Sequence, residues 1–291
     1  MSKKLRTRNH KVVLNRSAGG DVGITIFLVI FGAFMFIPMY YAVVQSLKPL
    51  DELWYFPPRF YVINPTFSNF QAMFSSMSTS WVPFSRYIFN TVLISVVGTF
   101  GNLVFGSLAA YAICKIKFPG RKTMFRAVKY SLMFHATVAS IVNFMTMSAL
   151  GLIDTYWPWI VEAWGATLGM FLMKQFMEGS ISDAVLESAR LDGASEFRTY
   201  WTIAMPMVKP AWLTLIVYSF KDLWNKGSSP YVMSEQYKTF NYAVQQVVSG
   251  GVSRAGVGMA AAVVMMIVPI LVFVFSQSGI VETMASSGMK D

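Results

Sequence analysis

Four long apolar runs constrain this chain more than any other feature. The runs from Gly23 to Gln45, Tyr87 to Ile113 and Ala255 to Ile280 contain no charged residue, and Tyr130 to Ile153 contains only His135. A helix needs about 20 mostly apolar residues to cross the roughly 30 Å of hydrocarbon in a bilayer. Charged residues make up only 13% of the chain, against roughly 25% in soluble domains. A water-soluble fold is therefore excluded.

Two weaker runs that carry charged residues raise the predicted number of spans to six. We predict an all-α polytopic membrane protein with transmembrane helices at about 23–45, 87–113, 130–153, 155–173, 210–226 and 255–280. They lie in a membrane domain at 21–281, between a basic N-terminal arm at 1–20 and a tail at 282–291. The first span is too long for the apolar core of a signal peptide, which has roughly 7–15 residues.

The basic residues predict the orientation of the chain. Of the 24 Lys and Arg residues, six precede the first predicted span, six follow the second, four follow the fourth and one is in the tail. Lys and Arg are kept on the cytoplasmic side of a membrane, so both termini are predicted to be cytoplasmic. The net charge of +10 thus follows from topology and needs no nucleic-acid partner.

Residues 182–206 form the most polar connection between spans, and we call them the inner connection. The sequence predicts two short helices here. Ser182 and Asp183 can cap the first helix, Gly193 can supply its C-terminal turn, and Ser195 can cap the second. Pro206 is expected to open the next span.

The inner connection resembles the EAA loop of ATP-binding-cassette (ABC) importer permeases. It matches at Glu187-Ser188-Ala189, Gly193, Ile203 and Met205-Pro206, with Ser188 in place of Ala at the second position of the motif and Met205 in place of Leu. Its form with Leu191-Asp192-Gly193-Ala194 is typical of permeases for di- and oligosaccharides, the maltose-type second permeases. Further matches lie at Asn90-Thr91, Leu108 to Ala112, Phe118 to Arg121, Trp224-Asn225 and Ser287 to Lys290.

This resemblance implies the type I ABC importer fold and a non-catalytic transport subunit. It implies as partners a second homologous permease, two cytoplasmic ATPases that bind ATP and Mg, an extracytoplasmic solute-binding protein, an oligosaccharide substrate and membrane lipids. It implies coupling to the ATPases through Glu187, Ser188, Ala189, Leu191, Asp192, Gly193, Ala194 and Pro206. Gly288 and Lys290 in the tail are expected to reach toward the ATPase pair. The chain has no P-loop sequence and is expected to bind no cofactor itself.

The fifth predicted span carries the main candidates for a substrate path. Tyr218, Lys221 and Asn225 recur at helical spacing, with Asp222 placed to pair with Lys226 at i+4 and with Trp224 alongside. Asn143 in the third span is a weaker candidate. A saccharide would use such hydrogen-bonding and aromatic groups. The alternative is that Trp224 is an interfacial anchor and that the charged side chains extend outward to water. In the family an acid follows Trp-Asn, whereas this chain has Lys226.

Two further questions stay open at this level. The outer stretches 48–86 and 227–253 are rich in aromatic residues and fit docking of a binding protein, or else cap the cavity at the membrane interface. The contrasting function is an ion- or proton-coupled secondary carrier, for which Glu162 and Asp222 are the only intramembrane acids available. Clustered groups for membrane-embedded catalysis or metal binding are lacking, with one cysteine and two histidines in the chain.

Overall fold

The computed structural model describes residues 18–78, 81–134, 136–249, 251 and 254–287. Apart from turns and loops, the structure in these ranges is helical. The helices are α1 Ala18–Ser46, α2 Leu50–Leu53, α3 Ser68–Ser78, α4 Phe84–Lys115, α5 Arg121–Ser131, α6 Ala136–Ala149, α7 Trp157–Trp164, α8 Thr167–Ser180, α9 Asp183–Leu191, α10 Glu196–Met207, α11 Lys209–Trp224, α12 Phe240–Val248 and α13 Ala255–Ser287. A short 3₁₀ turn covers Glu235–Tyr237.

Three of these helices are long and apolar enough to cross a membrane. They contain the candidate spans Gly19–Ser46, Phe84–Lys115 and Ala255–Gln277, and the pair α10 and α11 would make a fourth as one broken span. The predicted span 130–153 corresponds to the end of α5 and to α6, and 155–173 corresponds to α7 and part of α8. The count of six spans and the orientation of the termini remain predictions.

Helix α4 lies at the centre of the fold and packs against α7, α8 and α11. Small residues on α4 allow this close approach, as is common between membrane helices. A Cβ atom at Gly101 would lie 1.8 Å from the indole nitrogen of Trp164, which donates a hydrogen bond to the Val97 carbonyl at 3.2 Å. Helix α13 packs separately against α1, α3, α11 and α12.

The entry into α11 differs from the sequence prediction. Pro206 does not open the span, because α10 continues through it to Met207. The chain then bends by 84° at the break between α10 and α11, and Pro210 occupies the first turn of α11. Proline is well tolerated there, because the first helical N–H groups have no partner inside the helix. The bend sets α10 at a steep angle to the span.

Candidate functional site

The inner connection is a helix, a tight reversal and a second helix. Helix α9 ends in a Schellman motif, in which the Ala194 N–H donates to the Ala189 carbonyl and the Gly193 N–H donates to the Arg190 carbonyl, both at 3.0 Å. Gly193 has φ +78°, a left-handed conformation that glycine adopts without strain. The side chain of Ser195 accepts the Arg198 N–H at 3.3 Å and caps α10. Both the turn and this cap match the sequence prediction, whereas the Ser182 side chain makes no capping hydrogen bond to α9.

A few apolar side chains anchor the inner connection to the rest of the chain. Leu186 of α9 and Tyr200 of α10 are buried in one cluster with Met173 and Met177 of α8. The Tyr200 hydroxyl also lies 2.5 Å from the Ser107 Oγ on α4. Ala189 is buried as well. The expected coupling residues therefore divide, since Ala189 packs inward, Ala194 is half-buried and the others are exposed.

The outward face of the inner connection combines apolar and acidic side chains. Leu191 is 89% exposed and Phe197 is 64% exposed. Glu187, Ser188 and Asp192 are exposed beside them. Large apolar side chains that are this open to solvent mark interaction surfaces when they cluster.

Two ion pairs fix the position of α9. The Lys115 Nζ at the end of α4 donates to the Asp183 Oδ1 at 2.8 Å and to the Ile181 carbonyl at 2.7 Å. This contact holds the pKa of the Asp183 carboxyl below its usual value. The Arg190 Nε donates to the Glu196 Oε1 at 2.6 Å and joins the two short helices. The Glu196 hydrogen bond raises the pKa of Arg190.

A cavity of about 270 Å³ lies beside α11, and we call it the helix cavity. Three of the predicted path residues line it, namely Tyr218, Asp222 and Asn143. The Lys226 Nζ lies 3.7 Å from the Asp222 Oδ2, as the i+4 spacing predicts. Further lining residues that the sequence had not marked as path candidates are Asn102, Trp159, Glu162 and Ser219.

Three other path candidates lie elsewhere. Trp224 is buried among α3, α12 and α13 side chains, and its indole N–H donates to the Met265 carbonyl at 3.0 Å. It is therefore neither an interfacial anchor nor part of the cavity wall. The Asn225 side-chain amide donates to the Lys221 carbonyl, one turn earlier, at 2.8 Å. Lys221 and Asn225 are both absent from the lining of the helix cavity.

Residues 225–239 form the outer loop, which is held by many hydrogen bonds. The Asn90 amide of α4 donates to the carbonyls of Gln236 and Lys238 at 2.9 and 2.8 Å, and its oxygen accepts from the Tyr156 hydroxyl at 2.8 Å. The Asp154 carboxylate accepts from the N–H groups of Met233 and Ser234 and from the Ser234 hydroxyl. The outer loop is thus fixed from two sides.

A second cavity of about 300 Å³ lies under the outer loop, and we call it the loop cavity. It is lined by Ser228, Ser229, Lys238, Tyr242 and Gln246, together with Trp159. The Lys238 Nζ donates to the Glu235 carboxylate and to the Tyr242 hydroxyl, both at 2.8 Å. Both cavities therefore border the same tryptophan.

The outer stretch before α3 exposes several aromatic side chains, among them Trp54, Tyr55 and Phe56. The tail residues Gly288 and Lys290, His135 and the basic arm at 1–17 lie outside the described residues. In the ranges that are described, no group of three or more His, Cys, Asp or Glu side chains is placed to hold a metal ion.

Residues 102–285 match the family described as "Binding-protein-dependent transport system inner membrane component". Among similar proteins, the arabinooligosaccharides transport system permease protein AraQ of Bacillus subtilis is 24% identical over 92% of this chain and 95% of its own length. The sn-glycerol-3-phosphate transport system permease protein UgpE of Yersinia enterocolitica is 25% identical over 94% of this chain and 99% of its own length.

The fold is similar to that of a solved membrane transporter. A chain in the crystal structure of a bacterial ABC transporter involved in the import of the acidic polysaccharide alginate superposes with a TM-score of 0.72 and 22% identity. The match covers 89% of this chain and 96% of that chain. A chain of the bacterial alginate ABC transporter in complex with an alginate pentasaccharide-bound periplasmic protein has a TM-score of 0.54.

Proposed function

The chain belongs to the family of binding-protein-dependent transport system inner membrane components, and we propose that it is the transmembrane permease subunit of an ATP-driven ABC importer for a di- or oligosaccharide. In this proposal an extracytoplasmic binding protein delivers the sugar. Two cytoplasmic ATPases, which bind ATP and Mg, supply the energy, and this chain catalyses no reaction.

The inner connection is the observation that carries the proposal. Its exposed face, with Leu191, Phe197 and Glu187, is large and mixed enough to dock a partner protein. The Schellman turn at Gly193 and the Arg190–Glu196 ion pair keep its two helices in a fixed relation. We propose that this face seats in a groove of an ATPase. Closure of the ATPases on ATP then moves α10, and through the 84° bend it moves α11.

The saccharide class is supported by the relatives and by the cavities. Arabinooligosaccharides are named for one relative, and the relative NgcG of Streptomyces coelicolor is a diacetylchitobiose uptake system permease protein. Hydroxyl, amide and aromatic side chains, which suit a polyhydroxyl solute, line the helix cavity and the loop cavity.

Exposed surfaces support the other proposed partners, namely lipid, a second permease and the binding protein. The most apolar window of α1 buries none of its residues inside the chain, which suits contact with lipid and with a second homologous permease. The exposed aromatic residues at 54–56 suit docking of the binding protein. The structural neighbour was likewise solved in complex with a periplasmic protein. We propose that both termini are cytoplasmic, and that the tail with Gly288 and Lys290 contacts the ATPase pair.

A reconstituted complex tests the proposed function. This chain is co-expressed with its partner permease and ATPases, purified and placed in proteoliposomes with the binding protein. Sugar-loaded binding protein should raise ATP hydrolysis, and sugar uptake should stop without ATP. Uptake that continues without the ATPases on a proton or sodium gradient would instead show a secondary carrier, with Glu162 and Asp222 as coupling acids.

A further inference from the structure

Trp159 of α7 is the one described residue that lines both the helix cavity and the loop cavity, although it is only 5% exposed. Tyr231 packs edge-on against the ring, with centroids 6.4 Å apart, and the Lys226 Nζ lies 5.7 Å from the ring centroid. The indole therefore lies in the wall between the two cavities.

Two buried polar atoms beside the helix cavity have no hydrogen-bond partner in the described chain. They are the indole nitrogen of Trp159 and the Oδ1 atom of Asn102. The amide nitrogen of Asn102, a residue 4% exposed, donates to the Ser219 Oγ at 3.3 Å, so the side chain is oriented by α11. The indole can only donate and the Oδ1 atom can only accept.

A sugar is well matched to this pair. Each of its hydroxyls both donates and accepts, so sugar hydroxyls can satisfy the indole N–H and the Asn102 oxygen. Leaving such groups buried and unpaired is unfavourable. Both atoms are enclosed in this structure, so a solute can bind them only if the helices that wall the helix cavity separate.

The helix cavity carries more acidic than basic side chains. Its charged side chains are Glu162, Asp222 and Lys226, and among the described residues that line it Lys226 is the only cation. Lys226 lies 3.7 Å from Asp222, which leaves the Glu162 carboxylate unbalanced. In the loop cavity, Lys238 is paired with Glu235. Acidic sugars and phosphates are bound by Arg and Lys, and here an anion would meet an excess of carboxylate.

We propose that Trp159, Asn102 and Glu162 form a sugar subsite of this chain that accepts uncharged saccharides and disfavours anionic ones. This assignment rests on the proposed function and adds to it the charge class of the solute and the residues that hold it. It separates this chain from the transporter of the acidic polysaccharide alginate that shares its fold.

Direct binding to the assembled membrane complex tests the subsite without the selectivity of the binding protein. Saturation-transfer NMR is recorded on the complex of this chain, its partner permease and the ATPases. The uncharged probes are arabinotriose, maltotriose and diacetylchitobiose, and the anionic probe is trigalacturonate. At least one uncharged probe should bind, and trigalacturonate should bind more weakly than that probe.

Matched variants assign the binding to these residues. Trp159→Phe keeps the aromatic packing and removes the N–H, and Asn102→Leu removes the acceptor. Each should weaken binding of the uncharged probe by about fivefold or more, the scale of one lost hydrogen bond. Glu162→Lys should raise trigalacturonate binding relative to the uncharged probe. Co-purification of the ATPases with each variant shows that the complex still assembles.

Three results would overturn the subsite: no uncharged probe binds, trigalacturonate binds as well as the best of them, or Trp159→Phe and Asn102→Leu both leave binding unchanged. ATP hydrolysis stimulated by the loaded binding protein is measured on the same complex. If it persists while the subsite fails, the proposed importer function stands and only the subsite is lost.

Discussion

The two loops at either end of α11 differ in what holds them and in what they leave exposed. The inner connection is anchored by buried side chains such as Leu186 and Tyr200 and by the Lys115–Asp183 ion pair. It leaves Leu191 and Phe197 open to solvent. The outer loop is tied down by Asn90 and Asp154 from two different parts of the chain. One loop is therefore suited to bind a partner and transmit movement, and the other to keep the cavity wall in place.

The contacts of the two loops fit their different proposed roles. Burial of Leu186 and Tyr200, together with the Lys115–Asp183 ion pair, joins the inner connection to the neighbouring helices α4 and α8. We therefore expect α9 and α10 to move together with that core. The hydrogen bonds to the outer loop are directional and partly buried, and they specify one geometry. A displacement of the inner end of α11 would then leave its outer end in place.

A charged side chain introduced at the exposed tip of the inner connection tests the contrast between the two loops most directly. Leu191→Arg should lower ATP-driven uptake about tenfold or more, as at the centre of a protein interface, without lowering the thermal midpoint of the purified chain. Met233→Arg is the matched change on the outer loop, where Met233 is 66% exposed, and it should leave coupling to the ATPases intact. Equal effects of the two variants would remove the distinction between the loops.

Loss of the Asn90 side chain should be the largest change in stability. Asn90→Ala leaves two carbonyls of the outer loop and the Tyr156 hydroxyl without their buried partner, at a cost of about 2–4 kcal/mol. The thermal midpoint in detergent measures it. Ser195→Ala removes one exposed cap on the inner connection and should cost about 1 kcal/mol or less. A smaller loss for Asn90→Ala than for Ser195→Ala would contradict the account.

A change of backbone geometry at Gly193 should have a smaller effect on stability than Asn90→Ala, and we expect it to lower coupling to the ATPases. Gly193→Ala places a side chain in a left-handed conformation, at a cost of about 1 kcal/mol. It should loosen the reversal between α9 and α10 and lower uptake more than it lowers the thermal midpoint. Gly179→Ala is the control, because Gly179 lies in α8 and a Cβ atom added there would meet only open space. Parallel losses in both variants would argue against a special role for the turn.

The smallest expected effect is a pH dependence at the outer loop. The Ser234 hydroxyl, helped by the N–H groups of Ser234 and Met233, lowers the pKa of Asp154. The stabilisation is therefore present above the unfolded pKa of about 3.9 and is lost as the pH falls through the lower folded value. The difference in thermal midpoint between the wild type and Asp154→Asn should shrink below about pH 4. A difference that is independent of pH would rule out this role.

Much of the fold and one part of the candidate site were predictable from local sequence. The charge-free runs predicted α1, α4 and α13 because apolar length alone decides a span. The turn at Gly193 and the cap at Ser195 were predictable because both depend on contacts within five residues.

The rest depends on contacts between distant residues. Trp224 lies outside the helix cavity, and its indole N–H donates a hydrogen bond to the carbonyl of Met265, 41 positions away. Asn102 lies in a charge-free run that gives no local sign of a site, and only the packing of α4 against α7 and α11 places it in the wall of the same cavity as Trp159. The break before α11 falls after Pro206, because a π-helical stretch at Tyr200–Ala204 precedes that proline and the helix continues through it to Met207.

Site-specific cross-linking tests the central claim, that the inner connection docks on the ATPase. Cys114 is the only cysteine, so Cys114→Ser gives a background without cysteine. In that background Ser188→Cys on the inner connection, or Ser228→Cys on the outer loop, is labelled with a maleimide–benzophenone reagent and irradiated in the active complex. Ser188→Cys should form an adduct with the ATPase, and Ser228→Cys should not. An active complex in which Ser188→Cys gives no ATPase adduct would contradict the account.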